Sequence, residues 1–191
     1  MPNIAIAYFS GAGHTRRLAE EIANALGQAE CNARLIDVEV MFRIDWNALA
    51  SADAILMGSP TYMGSVAGPF KAFMDATSDI WENQGWRDKM AAGFTVAGYP
   101  AGDKLATLIQ MAVFATQHGM IWVGQDQIGA PVNPDNPGIN ASGTWMGLAA
   151  TADADHARKL SEAELETARR FAHRIARAVQ RWSPPAPENP A

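Results

Sequence analysis

Ser10-Gly11-Ala12-Gly13-His14-Thr15 is a run of small, hydroxyl and glycine residues that follows an apolar segment ending at Phe9. Directly behind it, Leu18, Ala19, Ile22 and Leu26 recur at helical spacing. A strand, a tight loop and a helix N-terminus in that order make an anion site. Unpaired amides and the positive end of the helix dipole converge there, so no lysine is needed. Ser10 and Thr15 add hydroxyl donors, and Gly11 and Gly13 let the backbone wrap a small group closely. The chemistry of such a loop is to hold a phosphate.

Three kinds of phosphate loop compete for the segment. A Walker A loop ends in Gly-Lys-Ser/Thr, whereas this one closes with Gly13-His14-Thr15, which sets it aside. A dinucleotide fingerprint needs a third glycine where Arg16 stands. Asp37 and Glu39 are nevertheless placed to imitate its ribose-binding acid, and they keep that reading open. A phosphate monoester suits the hydroxyl-rich loop best, because its terminal oxygens all need donors. The plain alternative is an ordinary strand-to-helix turn.

Two more loops share this character. One is Gly58-Ser59-Pro60-Thr61-Tyr62-Met63-Gly64-Ser65, and the other is Ala97-Gly98-Tyr99-Pro100-Ala101-Gly102-Asp103. Each follows an apolar strand, precedes a helix and carries an aromatic. Tyr62, Met63 and Tyr99 offer apolar and π surface, and exposed amides offer hydrogen bonds, so a flat tricyclic ring fits between them.

The elements that must position these loops alternate. Strands are expected at Ile4–Phe9, Ala33–Val38, Ala54–Gly58, Ala91–Ala97 and Met120–Val123. Helices are expected at His14–Gly27, Trp46–Ser51, Ala67–Trp81, Leu105–Gln117 and Glu162–Trp182, the last opened by the capping box Ser161–Glu164. The fold class is therefore α/β, a doubly wound five-stranded parallel sheet in the order 2-1-3-4-5 with helices on both faces. Ligands of such sheets sit beyond the carboxyl ends of the strands, where the three loops lie. Leu165, Ala168, Phe171, Ala172 and Ile175 on the last helix read as core packing. Residues 125–159 break the pattern with Gly, Pro, Asn and Asp, although Thr144–Ala149 can continue the fifth strand. Residues 1–182 are expected to form one domain, followed by a Pro-rich, disordered tail at 183–191.

Composition narrows the partners. The chain of 191 residues has a net charge of −5 and no basic stripe, which argues against nucleic acid. Its single Cys31 excludes an internal disulfide and a cysteine metal cluster, and no metal is expected. Met1-Pro2-Asn3 leads straight into a strand, and no apolar run reaches membrane-spanning length. A cytoplasmic protein that binds no membrane is expected.

The chain, apart from the tail, resembles the flavodoxin-like NAD(P)H:quinone oxidoreductases of the WrbA type and the related NADPH-dependent FMN reductases. The matching residues are Ser10-Gly11-Ala12-Gly13-His14, Pro60-Thr61-Tyr62-Met63-Gly64, and Phe73-Met74-Asp75-Ala76-Thr77 running to Trp81. Gln117-His118-Gly119-Met120 and Ala130-Pro131-Val132 match as well. The resemblance implies that Ser10, Gly11, Ala12, Gly13, His14 and Thr15 hold the phosphate of FMN. It implies that Pro60, Thr61, Tyr62, Met63 and Gly64 line the isoalloxazine. Val96, Ala97, Gly98, Tyr99, Pro100, Ala101 and Gly102 would embrace its pyrimidine side, and Gln117 would sit near the flavin in place of a family histidine. Tyr62-Met63 replaces the family's Arg-Phe, Ala12 stands where an aromatic is frequent, and the segment between strands two and three is shorter.

The implied reaction passes two electrons from NADH or NADPH through flavin N5 to a quinone or other small acceptor. The alternative is a one-electron flavodoxin, which places dense carboxylates around its flavin; here the rim loops hold only Asp103. The amides of Gly98–Gly102 are expected to steady the negative charge of the reduced ring. Lys104 is expected to help or to be an ordinary surface lysine. His118 is expected either to donate a proton to the acceptor or to cap a helix end. Trp81, Trp86 and Trp145 are expected near the rim. The resemblance further implies a homo-oligomer, a dimer or tetramer, with Trp81 approaching a neighbour's flavin and substrate.

Overall fold

The structure is a computed structural model and describes residues 1–152 and 160–182. The expected tail at 183–191 and the end of the irregular stretch, 153–159, lie outside the described residues. The chain begins β1 (Asn3–Tyr8), α1 (His14–Gln28), β2 (Asn32–Asp37), α2 (Trp46–Ser51) and β3 (Ala54–Tyr62). It continues with β4 (Ser65–Val66), α3 (Gly68–Asp75), α4 (Ser78–Glu82), β5 (Met90–Ala97) and α5 (Lys104–Gln117). It ends with β6 (Ile121–Trp122), β7 (Leu148–Thr151) and α6 (Glu162–Trp182).

The sheet order is β2-β1-β3-β5-β6 with every pair parallel, the doubly wound arrangement expected. Two additions bring the strand count to seven: β4 pairs antiparallel with β3, and β7 pairs parallel with β5. The fifth place in the sheet is shared. β6 lies beside Met90 and Ala91, and β7 beside Phe94 to Ala97. The chain leaves this edge after Trp122 and returns at Leu148. Trp122 Nε1 donates to the Met146 carbonyl at 2.8 Å, which clamps the return. Gly147 then passes so close to β5 that a β-carbon on it would stand 2.4 Å from the Gly93 carbonyl. The possible strand at Thr144–Ala149 therefore exists, shifted to Leu148–Thr151, because only past Gly147 is there room to pair.

β1 is buried on both faces, as a central parallel strand must be. Ile4 and Ile6 face Leu18 and Ile22 of α1 and Phe171 and Ile175 of α6. Ala5 and Ala7 face the opposite layer, with Phe70, Phe73, Leu108 and Met111 from α3 and α5. This two-residue alternation is what holds helices on both sides. α6 matches its expected range, and its five core residues are all buried. The Ser161 hydroxyl accepts the Glu164 amide at 3.2 Å. Arg169 joins α6 to α1 through Glu21 at 2.7 Å.

Two boundaries differ from expectation. The helix at Ala67–Trp81 is broken between Asp75 and Ser78. Thr77 turns its hydroxyl back to the Met74 carbonyl at 2.7 Å, an alternative to continuing the helix. Strand three runs to Tyr62 rather than Gly58, because β4 folds back on it with Tyr62 opposite Ser65. Met63 and Gly64 make that turn with φ values of 49° and 71°. Among the described residues, no helix is long and apolar enough to cross a membrane. Among the same residues, no group of three or more His, Cys, Asp or Glu is placed to hold a metal ion.

Candidate functional site

The carboxyl ends of β1, β3 and β5 meet at one edge of the sheet. A cleft of about 270 Å³ opens there, lined by Ala12, His14 and Thr15 from the first loop and Pro60, Thr61 and Tyr62 from β3. Val96, Ala97 and Gly98 line it from β5 and the loop behind it, and Ala152 closes it after β7. Through Thr61, Ala97 and Gly98 the cleft continues into a hollow of about 490 Å³, bounded by Met63, Gly64, Tyr99, Gly102 and Asp103. Pro100 and Ala101 complete the exposed third loop.

The first loop is built as an anion cradle. The Ser10 hydroxyl accepts the Gly13 amide at 3.1 Å and the Arg16 amide at 3.0 Å, which fixes the turn. Gly13, at φ 95°, takes the left-handed conformation that precedes α1. The first intrahelical bond runs from the Arg17 amide to the Gly13 carbonyl at 3.0 Å, so the His14 and Thr15 amides are left for a ligand. The Nε2 atom of His14 is buried and has no hydrogen-bond partner. Arg16 binds Asp37 at 2.7 Å, and the other Asp37 oxygen accepts the Glu39 amide at 3.0 Å. The acid that a dinucleotide reading needs is thus engaged on both oxygens. Burial pushes the neighbouring Tyr8 phenol above its ordinary value, with Arg16 opposing.

The floor is made of hydroxyls. Thr61 Oγ1 lies 2.8 Å from Thr95 Oγ1 and donates to Thr107 Oγ1 at 2.9 Å, tying β3, β5 and α5 together. The buried Ser59 hydroxyl accepts the Ala67 amide at 2.9 Å. Gln110 of α5 accepts from the Ser65 hydroxyl at 2.9 Å and the Val66 amide at 3.2 Å, which holds the β3–β4 hairpin in place.

Two expectations are corrected, and two are decided between their alternatives. Gln117 ends α5, a helix of 14 residues and so roughly 21 Å long, while the cleft lies at its start. Gln117 instead lines a separate groove of about 320 Å³ with Trp81, Met74 and Thr77 at the opposite edge of the sheet. Of the two expectations for His118 the helix-end one holds: it caps α5, its amide donating to the Phe114 and Ala115 carbonyls, and it is no exposed proton donor. It is 1% exposed and packed against Trp86 and Phe114 at ring distances of 4.7 Å each. Its Nε2 pairs with the Thr77 hydroxyl at 2.9 Å, its Nδ1 has no partner, and burial pushes its pKa down, so it is held neutral. Trp86 is buried in that core rather than placed at the rim, because its indole fills the space under α5. Trp81 and Trp145 are about half exposed, and Trp81 shares the Gln117 groove. Lys104 is no surface residue: it is buried and donates to Ser142, Thr151 and the Ala150 carbonyl. Ala152 was invisible to local pattern, since only the return of the chain at β7 brings it to the cleft.

Fold and cleft together define a flavodoxin-like α/β protein with its cleft at the carboxyl ends of the strands. Known proteins agree. The family described as NADPH-dependent FMN reductase matches residues 46–134. The chain is 39% identical to "Flavodoxin FldP" of Pseudomonas aeruginosa strain UCBPP-PA14, over 94% of this chain and 98% of that one. It is 32% identical to "Quinone-oxidoreductase QR2" of Triphysaria versicolor, over 85% and 88% of the two chains. The crystal structure of a WrbA-like flavodoxin from Agrobacterium tumefaciens superposes with a TM-score of 0.73 at 34% identity, covering 96% of this chain and 100% of that one. The chain belongs to the flavodoxin-like family of WrbA-type NAD(P)H:quinone oxidoreductases, and it is an oxidoreductase.

The residues present fit FMN on their own terms. The unpartnered His14 Nε2 and the free amides at the start of α1 match a phosphate monoester. Above Gly98 there is open space, with nothing within 4 Å of an added β-carbon, as a ring lying on that backbone requires.

Proposed function

We propose that the protein binds FMN in this cleft and uses it to pass two electrons from NADH or NADPH to a quinone-like acceptor. The observation that carries the reading is the start of α1, where His14 and Thr15 line the cleft with their amides left free and the His14 Nε2 is buried without a partner. The bound cofactor supplies a ring that takes two electrons from a nicotinamide and returns them to an acceptor.

The chain's own residues bind and orient. Ser10 through Thr15 hold the phosphate, with Ser10 keeping the turn closed and His14 donating from the side. Pro60, Thr61 and Tyr62 wall one side of the ring, while Met63 and Tyr99, both largely exposed, flank its open face where donor and acceptor stack in turn. The amides of Gly98 to Gly102 and the positive end of α5 face the ring edge where negative charge gathers. His118 moves no proton, since it is buried and neutral. Gln117 and Trp81 reach a cofactor only from a second copy, and a dimer or tetramer in the cytoplasm is part of the reading.

A second reading, a one-electron carrier, is favoured by the name of the Pseudomonas relative. Against it stands the rim, where, among the described residues, Asp103 is the single carboxylate bordering the hollow. The purified protein is expected to be yellow and to release FMN on acid treatment. It is expected to oxidise NADH or NADPH with benzoquinone at a rate set by enzyme concentration. A yellow protein that turns over neither nicotinamide, yet holds one electron stably, would make the carrier reading correct.

A further inference from the structure

Lys104 is the first residue of α5, and its side chain is 1% exposed. Its ammonium donates to Thr151 Oγ1 at 2.8 Å, to Ser142 Oγ at 2.9 Å and to the Ala150 carbonyl at 3.3 Å. All three acceptors are neutral. Glu164, whose carboxylate accepts the Thr151 amide, is the acid that favours the charge from further away. Burial pushes the Lys104 pKa down, so keeping an ammonium here works against folding. A methionine would fill the same volume without that cost. The position of the charge supplies a reason to keep it.

Thr151 is the sheet partner of Ala97, and the Ala152 amide donates to the Ala97 carbonyl at 2.8 Å. Ala97, Gly98 and Ala152 are the wall of the cleft on this side. Val96 stands next to them, and none of these three has a side chain longer than a methyl group. The ammonium is therefore set behind a thin, apolar partition, and a buried charge acts at longer range than one in open water.

We propose that Lys104 is an electrostatic residue of the FMN site: its buried ammonium, behind the Ala97–Gly98–Ala152 wall, favours the electron-rich, negatively charged form of the cofactor. This rests on the FMN reading above. It assigns Lys104 no contact with the ring. The lysine raises the midpoint potential through the wall, and its three hydrogen bonds hold the charge at a fixed place.

The test separates charge from anchoring. Wild type, Lys104→Arg, Lys104→Gln and Lys104→Met are loaded with FMN. Cofactor dissociation constants are measured in the oxidised state and after dithionite reduction, and midpoint potentials by dye-coupled redox titration. Folding is followed by circular dichroism. In Lys104→Gln, whose amide keeps hydrogen bonds but not charge, and in Lys104→Met, reduced FMN is expected to weaken ~tenfold more than oxidised FMN. The midpoint moves to more negative values accordingly. Lys104→Arg is expected to keep the wild-type ratio and potential. Neutral variants that fold and bind with the wild-type ratio overturn the proposal. So does the failure of both neutral variants to fold, which makes the lysine an anchor only. If wild type itself binds no FMN in either state, the FMN reading has failed rather than the assignment of the charge.

Discussion

The Tyr62 hydroxyl lies over the backbone of Gly11, so close that a β-carbon at Gly11 would stand 2.7 Å from it. Tyr62 ends β3 and Gly11 belongs to the loop behind β1, so this approach closes the cleft between two loops that are far apart in sequence. The hydroxyl is the far end of a flexible side chain that is about half exposed, and it can swing outward. Gly11→Ala is expected to displace Tyr62 rather than unfold the chain. FMN affinity then falls about tenfold, or about 1.4 kcal/mol. Combined with Tyr62→Ala, the substitution is expected to cost little more, because the two residues act through one contact. Flavin fluorescence titration of both single variants and the double variant measures this. Strict additivity would contradict the proposed closure.

Ser10 fixes the cradle by accepting two amides, at 3.0 and 3.1 Å. Removing the hydroxyl leaves both donors at a helix start without that partner, a loss comparable to that of a helix N-cap. Ser10→Ala is expected to lower stability by about 1 kcal/mol, as such losses do. It is also expected to weaken FMN more than riboflavin, since riboflavin lacks the phosphate that the cradle holds. Urea unfolding gives the first quantity, and parallel titrations with the two flavins give the second. Equal weakening of both would place the phosphate elsewhere.

The sheet order, α6 and the three rim loops were legible because each rests on a local signal: period-two and helical apolar spacing, a capping box, and glycine beside hydroxyl residues. What was not legible depends on distant contacts. Nothing near Lys104 in sequence says that Ser142, 38 residues on, and Thr151 of β7, 47 residues on, will cover it. The break at Thr77 depends on a histidine 41 residues away. Gln117 and His118 close α5 in a pattern that resemblance associates with a flavin. Only the direction of α5 reveals that they stand at the opposite edge of the sheet from their own cleft.

Leu105, Ile109 and Val113 are exposed at successive i, i+4 positions on α5, an apolar stripe on a helix whose other side is core. A second copy of the chain is the occupant expected from the proposed oligomer. Ile109→Glu with Val113→Glu is expected to leave folding intact, because both side chains already meet solvent. It is expected to convert an assembled species to monomer on gel filtration with light scattering. If wild type is already monomeric and turns over, the stripe has no such role and the oligomer is wrong.

His118 gives a pH signature. Burial between Trp86 and Phe114 pushes its imidazole below the ordinary value near 6.5. Once the pH drops below the unfolded value, the unfolded chain binds a proton that the folded chain refuses. Its contribution is therefore fully present above about pH 6.5 and is lost as the pH falls towards the folded value. Between about pH 7.5 and about pH 5.5, wild type is expected to lose more stability than His118→Gln, by no more than the ~1.4 kcal/mol per unit that one proton allows. His118→Gln is itself less stable at neutral pH, since it gives up the aromatic packing, but its profile is flatter. Urea unfolding of both proteins across that range isolates the difference, because the remaining titrating groups are common to the two. A wild-type profile parallel to that of the variant would mean that the imidazole protonates in the folded core, which the unpartnered Nδ1 between two aromatic rings opposes.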